Sequence, residues 1–167
     1  MSISVASVIL KMIKRKFDLL IYDFDGVMTD NRVLVNEDGK EAVFVNRSDG
    51  LAVSAIKQMG IKQLIVSTEA NPVVLVRAKK LGIPVINAVS DKKRAVEEYL
   101  KQEKINKTSV AFVGNDINDK EAMEYIGWPI APADAHAEIK KIARIVLKTK
   151  GGYGVIRELL DRLGEIK

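Results

Sequence analysis

The sequence is poor in several residues on which enzyme chemistry often depends. It contains no cysteine, which excludes disulfides, thiolate metal sites and thiol catalysis. Its only histidine is His136, so the sequence cannot supply a multi-histidine metal site. This residue lies in a polar stretch where we expect a surface position, which disfavours a Ser-His-Asp triad. Aromatic residues make up 5% of the chain, too few for platforms that stack single-stranded nucleic acid. Hydrolytic chemistry must therefore rest on carboxylates, lysines and hydroxyls.

Neither the charge nor the hydropathy of the chain indicates a nucleic-acid or membrane partner. The net charge is +5, which could attract nucleic acid or small anionic substrates, but the basic residues are dispersed among acidic ones, which favours solvated helix faces. The apolar residues 1–10 precede a basic stretch, the reverse of a secretory signal, and are too few to span a bilayer. We expect a cytoplasmic protein without a membrane partner, formed by one domain over residues 1–167 with an N-terminal helix or arm at 1–16.

Short apolar runs alternate with segments of helical periodicity. The runs lack polar alternation, which is typical of parallel strands buried on both faces. This pattern predicts an α/β fold with a doubly wound parallel sheet. The predicted strands are 19–22, 64–66, 84–86 and 110–113, and the predicted helices are 49–59, 71–82, 91–104 and 118–126.

One segment interrupts this alternation directly after the first strand. Two apolar runs, 33–35 and 42–45, flank the turn residues 36–39, which predicts a β-hairpin within residues 31–46. Such a hairpin would project from the carboxyl edge of the sheet, where ligands of open α/β sheets bind. It is too small to form a separate domain.

Polar side chains follow the predicted strands at the points where they end. Asp23, Ser67 and the pair Asn115-Asp116 each come directly after an apolar run. Because the carboxyl ends of parallel strands meet at one edge of a sheet, we expect these side chains to converge. Lys92 opens the helix after the third strand and can reach the same edge; Lys93 is an alternative for the same position.

The two carboxylates of Asp23 and Asp25 can perform different tasks. One can attack a phosphorus atom, while the other protonates the leaving oxygen and later deprotonates water. A calcium loop also begins with this spacing, but it requires glycine and glutamate where this chain has Met28 and Leu34. The pair therefore favours covalent phosphoryl chemistry.

The other polar residues suit the same reaction, although each has a plainer interpretation. The Ser67 hydroxyl can donate to a phosphoryl oxygen, or it can cap a strand or helix end. The Lys92 ammonium can neutralise a phosphoryl group, or it can belong to a solvated helical turn. Asn115 and Asp116 offer hard oxygen ligands that suit Mg²⁺, or they can form an Asn/Asp-rich turn.

Taken together, these motifs resemble a known family. Residues 23–30, Ser67, Lys92 and 114–119 resemble, in order, the four motifs of haloacid dehalogenase-superfamily phosphatases. The short hairpin and the glycine-rich residues 151–158 resemble a subgroup that lacks a large cap domain. That subgroup contains 3-deoxy-manno-octulosonate 8-phosphate phosphatases and nonulosonate 9-phosphate phosphatases. The resemblance implies a Rossmann-like fold with a small hairpin insertion.

The resemblance also implies roles for individual residues. Asp23 would be the nucleophile, forming an aspartyl-phosphate, and a ligand of Mg²⁺. Asp25 would be the acid/base residue, with its backbone carbonyl on the metal. Ser67, Thr68 and Lys92 would hold the phosphoryl group. The implied assembly is a homotetramer in which hairpin and tail help to build a neighbour's site.

Substrate choice stays open between two phosphorylated 2-keto-3-deoxy sugar acids. The resemblance assigns specificity to Glu69, Arg77 and Lys80, which favours a nonulosonate 9-phosphate, while an octulosonate 8-phosphate remains an alternative. Helical spacing puts Arg77 and Lys80 on one face near a single anion, or leaves them as solvated surface residues.

One position departs from the resembled pattern. Asn115 stands where the family usually has aspartate, which removes a negative charge from the metal site, and Asp116 could take over as ligand. An alternative function is therefore a catalytically weakened module associated with an acylneuraminate cytidylyltransferase.

Overall fold

All strand pairs in the main sheet run parallel, as the apolar runs predict. The computed structural model describes residues 17–164, so the predicted N-terminal helix or arm lies outside the described residues. The main sheet has the order β5-β4-β1-β6-β7-β8, and β2 and β3 form a separate antiparallel hairpin. The strands are β1 (Leu19–Tyr22), β2 (Thr29–Val35), β3 (Glu41–Val45), β4 (Lys62–Val66), β5 (Val85–Ile86), β6 (Val110–Val113), β7 (Trp128–Ala131) and β8 (Ile145–Val146).

Helices connect the strands, and several begin at a side chain that caps them. Asn46, Asn71 and Asp91 each accept a hydrogen bond from a backbone N–H of the first turn that follows. Pro72 adds a fixed φ at the first position of its helix. The helices are α1 (Arg47–Gln58), α2 (Pro72–Leu81), α3 (Lys92–Glu103), α4 (Lys120–Tyr125), α5 (Ala137–Ile142) and α6 (Val155–Arg162).

The sheet is covered on both faces, which makes the fold doubly wound. Successive residues of β1 alternate between two apolar clusters: Leu20 and Tyr22 pack with α1, α2 and α6, whereas Leu19 and Ile21 pack with α3, α4 and α5. All four are fully buried. The predicted α/β class with a parallel sheet is confirmed. Among the described residues, no helix has the length and apolar character needed to cross a membrane.

The hairpin is longer than the sequence pattern predicts, and its pairing is irregular. Thr29 pairs with Val45 and Val33 pairs with Val43, so β2 contains extra residues between these two pairs. Asn31, within this bulge, has a φ of 64°. The bulge bends the hairpin beside the end of β1 and turns the intervening side chains away from regular alternation.

Four elements near the C-terminus are absent from the sequence prediction. β7 contains Pro129, which disfavours a central strand, and β8 has two residues, too few to give a periodic signal. α5 has six residues and follows a Pro-rich turn. α6 begins in the glycine-rich stretch that the sequence indicates only by resemblance.

Candidate active site

The ends of β1, β4 and β6 lie side by side at the carboxyl edge of the sheet. Tyr22 pairs with both Ile65 and Val113, so the next residues of the three strands reach the same level. The backbone N–H of Asp23 donates to the carbonyl of Val113 at 2.9 Å, and that of Ser67 donates to Ile86 at 2.9 Å. The predicted convergence of polar strand ends is present in the structure.

A tight loop carries the two aspartates out of β1. Residues 24–28 close through a hydrogen bond from the Thr29 N–H to the Phe24 carbonyl, and Gly26 adopts a φ of 80°. A Cβ on Gly151 would lie 2.2 Å from the Gly26 carbonyl oxygen, so only glycine fits there. The glycine-rich C-terminal stretch thus packs directly on the loop that holds Asp23 and Asp25.

Lys92 lies between two buried carboxylates. Its Nζ is 2.7 Å from Oδ1 of Asp23 and 2.6 Å from Oδ1 of Asp119, and all three side chains are almost fully buried. Lys93, the alternative considered from the sequence, lies 3.9 Å from Glu97 on the flank of α3. Lys92 is therefore the cation that faces Asp23.

Burial and charge act in opposite directions on the carboxyl of Asp23. Burial and the Asp119 carboxylate together raise the pKa of Asp23 to about 8, against the opposing effect of Lys92. The pKa of Lys92 is raised by the two carboxylates, against the effect of its burial. Lys92 therefore stays charged at neutral pH and helps to hold Asp23 in the ionised form that a nucleophile requires.

Asp25 lies closer to solvent than Asp23. Its Oδ1 accepts a hydrogen bond from the Thr29 hydroxyl at 3.2 Å. Burial raises its pKa, and the carboxylates of Glu69 and Glu41 add to the rise, which favours a proton on Asp25. This is the property expected of a general acid near neutral pH.

The Asn115 carboxamide faces the other oxygen of Asp23. One of its polar atoms lies 2.9 Å from the Asp25 carbonyl oxygen and 3.1 Å from Oδ2 of Asp23. With nitrogen at that position the amide donates two hydrogen bonds; with oxygen there, three hard oxygens converge on one point. This carboxylate, carbonyl and amide set fits a divalent cation, whose charge would lower the pKa of Asp23 when bound.

Asp116 does not join this oxygen set. Its side chain is exposed and accepts a hydrogen bond from the Ile117 N–H at 2.7 Å, capping a short 3₁₀ turn at Ile117–Asp119. The structure therefore gives no support to the alternative that Asp116 replaces Asn115 as ligand. The described residues also contain no group of three or more histidine, cysteine, aspartate or glutamate side chains placed to hold a metal alone.

Asp119 is a site residue that sequence reasoning missed. Its Oδ2 accepts the Asn115 N–H at 2.8 Å and the Asp116 N–H at 3.2 Å, while its Oδ1 pairs with Lys92. One carboxylate thus orders both the loop after β6 and the cation beside Asp23. Its signal was its place in the 114–119 motif, but nothing in the pattern showed that this residue turns inward.

Two of the three predicted phosphate-binding residues, Ser67 and Thr68, line a cavity of about 270 Å³ at Asp23, whereas Lys92 contacts Asp23 from outside this lining. Ser67 is buried, and its Oγ accepts the Glu69 N–H at 3.1 Å, which leaves its proton free to donate. The cavity is lined by Asp23, Asp25, Asn31, Ser67, Thr68, Glu69, Asn115, Asp116 and Asn118. His136 lies outside this lining; it is exposed, as expected, and caps α5.

Glu69 also lines a second cavity of about 230 Å³ between the hairpin and α2, whereas Arg77 and Lys80 line neither cavity. Arg77 turns towards α1, where its Nη2 donates to the Asn46 carbonyl at 3.0 Å, and Lys80 is exposed in the last turn of α2. Packing of α2 on α1 draws Arg77 inward, so Arg77 and Lys80 do not reach these two cavities, and their contact with one ligand stays a prediction.

Comparisons with known proteins agree with this geometry. A family model described as haloacid dehalogenase-like hydrolase matches residues 51–159. The 3-deoxy-D-manno-octulosonate 8-phosphate phosphatase KdsC of Yersinia pestis is 33% identical over 144 residues, covering 86% of this chain and 77% of that protein. N-acylneuraminate cytidylyltransferase A of Danio rerio is 26% identical over 147 residues, covering 87% of this chain but 34% of that enzyme, so the chain spans about a third of its length.

Solved structures give the same result. The 3-deoxy-D-manno-octulosonate 8-phosphate phosphatase of Moraxella catarrhalis, solved with a magnesium ion, a phosphate ion and a KDO molecule, superposes with a TM-score of 0.87 at 28% identity. The match covers 95% of this chain and 91% of that one. Since a family model matches well over half of the chain and a curated phosphatase is a third identical across most of it, the chain belongs to the haloacid dehalogenase-like hydrolases and is a phosphatase of that family.

Proposed function

We propose that this chain is a Mg²⁺-dependent phosphatase of 3-deoxy-D-manno-octulosonate 8-phosphate that acts through a phosphorylated Asp23. The observation that carries the proposal is that the two carboxylate oxygens of Asp23 have different neighbours. Its Oδ1 faces the Lys92 ammonium, and its Oδ2 faces the Asn115 amide, which also lies against the Asp25 carbonyl. One oxygen is thereby held by a fixed cation, and the other stands where a divalent metal fits.

Each step of the reaction falls to a residue of this site. A carboxylate oxygen of Asp23 attacks the phosphorus as the ester P–O bond breaks, and Asp25 gives its proton to the leaving oxygen. Asp25 then takes a proton from water, whose oxygen attacks the phosphorus and releases Asp23 and inorganic phosphate. Ser67 and Lys92 neutralise or hydrogen-bond the phosphoryl oxygens during both steps.

The metal site is formed by Asp23, Asp25 through its carbonyl, and Asn115. Mg²⁺ suits this all-oxygen set because it prefers hard oxygen ligands and shares its shell with water and a substrate phosphate. When bound, it supplies positive charge beside the transferring phosphoryl group. The magnesium and phosphate ions in the Moraxella catarrhalis structure support this assignment.

A second substrate class follows from a different relative. The similarity to an acylneuraminate cytidylyltransferase of Danio rerio favours a nonulosonate 9-phosphate, or a weakened module that assists such an enzyme. Asn115 supports the weakened alternative because it removes a negative charge from the metal site. Both candidate substrates are 2-keto-3-deoxy sugar acids with a phosphorylated terminal carbon.

We further propose that the chain forms a homotetramer through the hairpin. Several large apolar side chains of β2 and β3 are exposed, Phe44 at 73% and Leu34 at 61%. Two strands alone are marginally stable in water, so such a surface indicates a partner. A second copy of the chain is the partner that we propose.

A substrate panel tests the proposed activity. Phosphate release is measured with Mg²⁺ from the octulosonate 8-phosphate, N-acetylneuraminate 9-phosphate and glucose 6-phosphate. We expect the sugar-acid esters to be cleaved well ahead of glucose 6-phosphate, and the Asp23→Asn variant to lose activity by at least about a thousandfold. Asp161→Asn, an exposed change on α6, is the matched control. Equal cleavage of all three esters, or an active Asp23→Asn variant, would refute the proposal.

A further inference from the structure

Three side chains stand between the cavity above Asp23 and the cavity beneath the hairpin. Asp25, Asn31 and Glu69 line both cavities. A substrate with its phosphate at Asp23 and its remainder under the hairpin must therefore pass between these three groups. Whatever lies next to the phosphate ester in the substrate meets them first.

The backbone fixes Asn31 in an unusual conformation at this position. Its φ of 64° is rare for a residue with a side chain, although asparagine tolerates it better than most, and it lies in the β2 bulge that re-aims side chains. Its N–H donates to the Thr29 hydroxyl oxygen at 3.2 Å, and that hydroxyl donates to Oδ1 of Asp25. The Thr29 hydroxyl thus links the backbone of Asn31 to the carboxylate of Asp25.

The Asn31 carboxamide has no hydrogen-bonding partner within residues 17–164. Of the three groups in the passage, Glu69 is an acceptor, and Asp25 uses its proton on the ester oxygen. Only Asn31 offers N–H donors to a neutral oxygen of the substrate. A hydroxyl on the carbon beside the phosphorylated one could accept from Asn31 and donate to Glu69.

We propose that Asn31 is a specificity-determining residue that binds the hydroxyl next to the phosphorylated carbon, which makes the enzyme selective for phosphate esters of vicinal diols. This inference rests on the proposed function, since it places the phosphate at Asp23. Both candidate sugar acids carry such a hydroxyl. The selection comes from the amide donor and is independent of the carboxylate at the far end of the substrate.

The test compares two probes that differ only in this hydroxyl, glycerol 3-phosphate and 3-hydroxypropyl phosphate. We expect the parent chain to favour glycerol 3-phosphate in kcat/KM by about tenfold, the value of one hydrogen bond. Asn31→Gly keeps the left-handed backbone accessible and removes the amide, so the ratio should fall to about one. Lys104→Gly, an exposed left-handed position at the end of α3 with a φ of 55°, is the matched control and should keep the ratio.

Several outcomes would overturn the inference. These are a parent chain without preference, an Asn31→Gly variant that retains it, a Lys104→Gly variant that loses it, or an Asn31→Asp variant that keeps it without a donor. A binding experiment separates this inference from the proposed function. NMR titration measures the affinities of both probes for Asp23→Asn and for the double variant Asp23→Asn/Asn31→Gly. If Asp23→Asn binds glycerol 3-phosphate more tightly and the double variant does not, the role of Asn31 is supported even when the parent chain shows no turnover. If the parent chain turns over both probes equally, the role of Asn31 is rejected and the proposed function stands.

Discussion

At Asn115, a neutral carboxamide supplies one of the three groups that form the proposed metal site. Its polar atom lies close to Oδ2 of Asp23 and the Asp25 carbonyl, so a substitution there acts directly on the charge of the site. The backbone of Asn115 is held by Asp119, and its carbonyl accepts the His136 N–H at 2.8 Å. The loop is therefore fixed independently of the Asn115 side chain.

We expect Asn115→Asp to lower the Mg²⁺ concentration needed for half-maximal activity by roughly tenfold, because a second carboxylate strengthens attraction for the cation. Without Mg²⁺ the same variant should melt at a lower temperature, since its carboxylate faces that of Asp23. Asn106→Asp adds the same charge at an exposed turn that lines neither cavity and serves as control. An unchanged Mg²⁺ requirement in Asn115→Asp would show that the neutral amide does not weaken the metal site.

Asp49 is a buried carboxylate outside the active site. It is 1% exposed, its Oδ1 accepts the Arg157 N–H of α6 at 3.0 Å, and its Oδ2 has no hydrogen-bonding partner. Burial raises its pKa from 3.8 to about 6, although hydrogen bonds from Arg157 and Ile156 and the charge of Arg77 oppose the rise. Asp49 therefore links α1 to the start of α6 by a hydrogen bond, while its burial disfavours the ionised carboxylate.

The raised pKa of Asp49 predicts a pH dependence of stability. Because the folded state favours the protonated form, its contribution is fully present below the unfolded pKa and is lost as pH rises towards about 6. We expect Asp49→Asn to reduce the fall in unfolding free energy between about pH 4 and about pH 8 by about 2 kcal/mol. Urea denaturation of both proteins at each pH measures this difference. Parallel pH curves for parent and variant would contradict the assignment.

At the scale of the elements, the hairpin exposes apolar surface that no other described segment covers. Val43 and Val45 pack against the core, whereas Leu34 and Phe44 belong to the opposite face, which is turned away from the core. Alternation along the strands thus separates an inner apolar face from an outer apolar face. The outer face is the surface assigned above to a second copy of the chain.

Replacing both Leu34 and Phe44 with lysine should convert the assembly to monomers while leaving the fold intact, because neither side chain contributes to the core. Sedimentation velocity gives the mass, and far-UV circular dichroism checks the fold. Val146→Lys is a control on β8, an edge strand of the main sheet that is separate from the hairpin. A monomeric parent protein, or a double variant of unchanged mass, would remove the hairpin from the interface.

The elements that were predicted from sequence share strong local signals. β1 and β6 are unbroken apolar runs, and α2 and α3 begin at caps that the sequence displays, so their positions follow from local chemistry. β7 and β8 depend on neighbours for their pairing, and their short or proline-containing sequences carry no periodicity of their own. Burial of Asp119 and the inward turn of Arg77 likewise depend on packing between distant segments.

At the scale of the whole molecule, the fold brings a cation, two carboxylates and the oxygen set of the proposed metal site to one sheet edge. The pairing of β1 with β6 fixes the position of Asp23 at the sheet edge, and Lys92 at the start of α3 contacts its carboxylate. The convergence of the polar strand ends was predictable, since parallel strands end at a common edge. The pairing of Lys92 with Asp119 as well as Asp23 has no signal in the sequence, because it depends on packing between distant segments.

The central claim is that Asp23 becomes phosphorylated during turnover. The most direct measurement is rapid acid quenching of the enzyme with substrate and Mg²⁺, followed by borohydride reduction and peptide mass spectrometry. Reduction of an aspartyl-phosphate should leave homoserine in place of Asp23 and nowhere else, and Asp25→Asn should still show it with an activated ester. Turnover without any modified residue 23, or homoserine formed at another aspartate, would contradict the account.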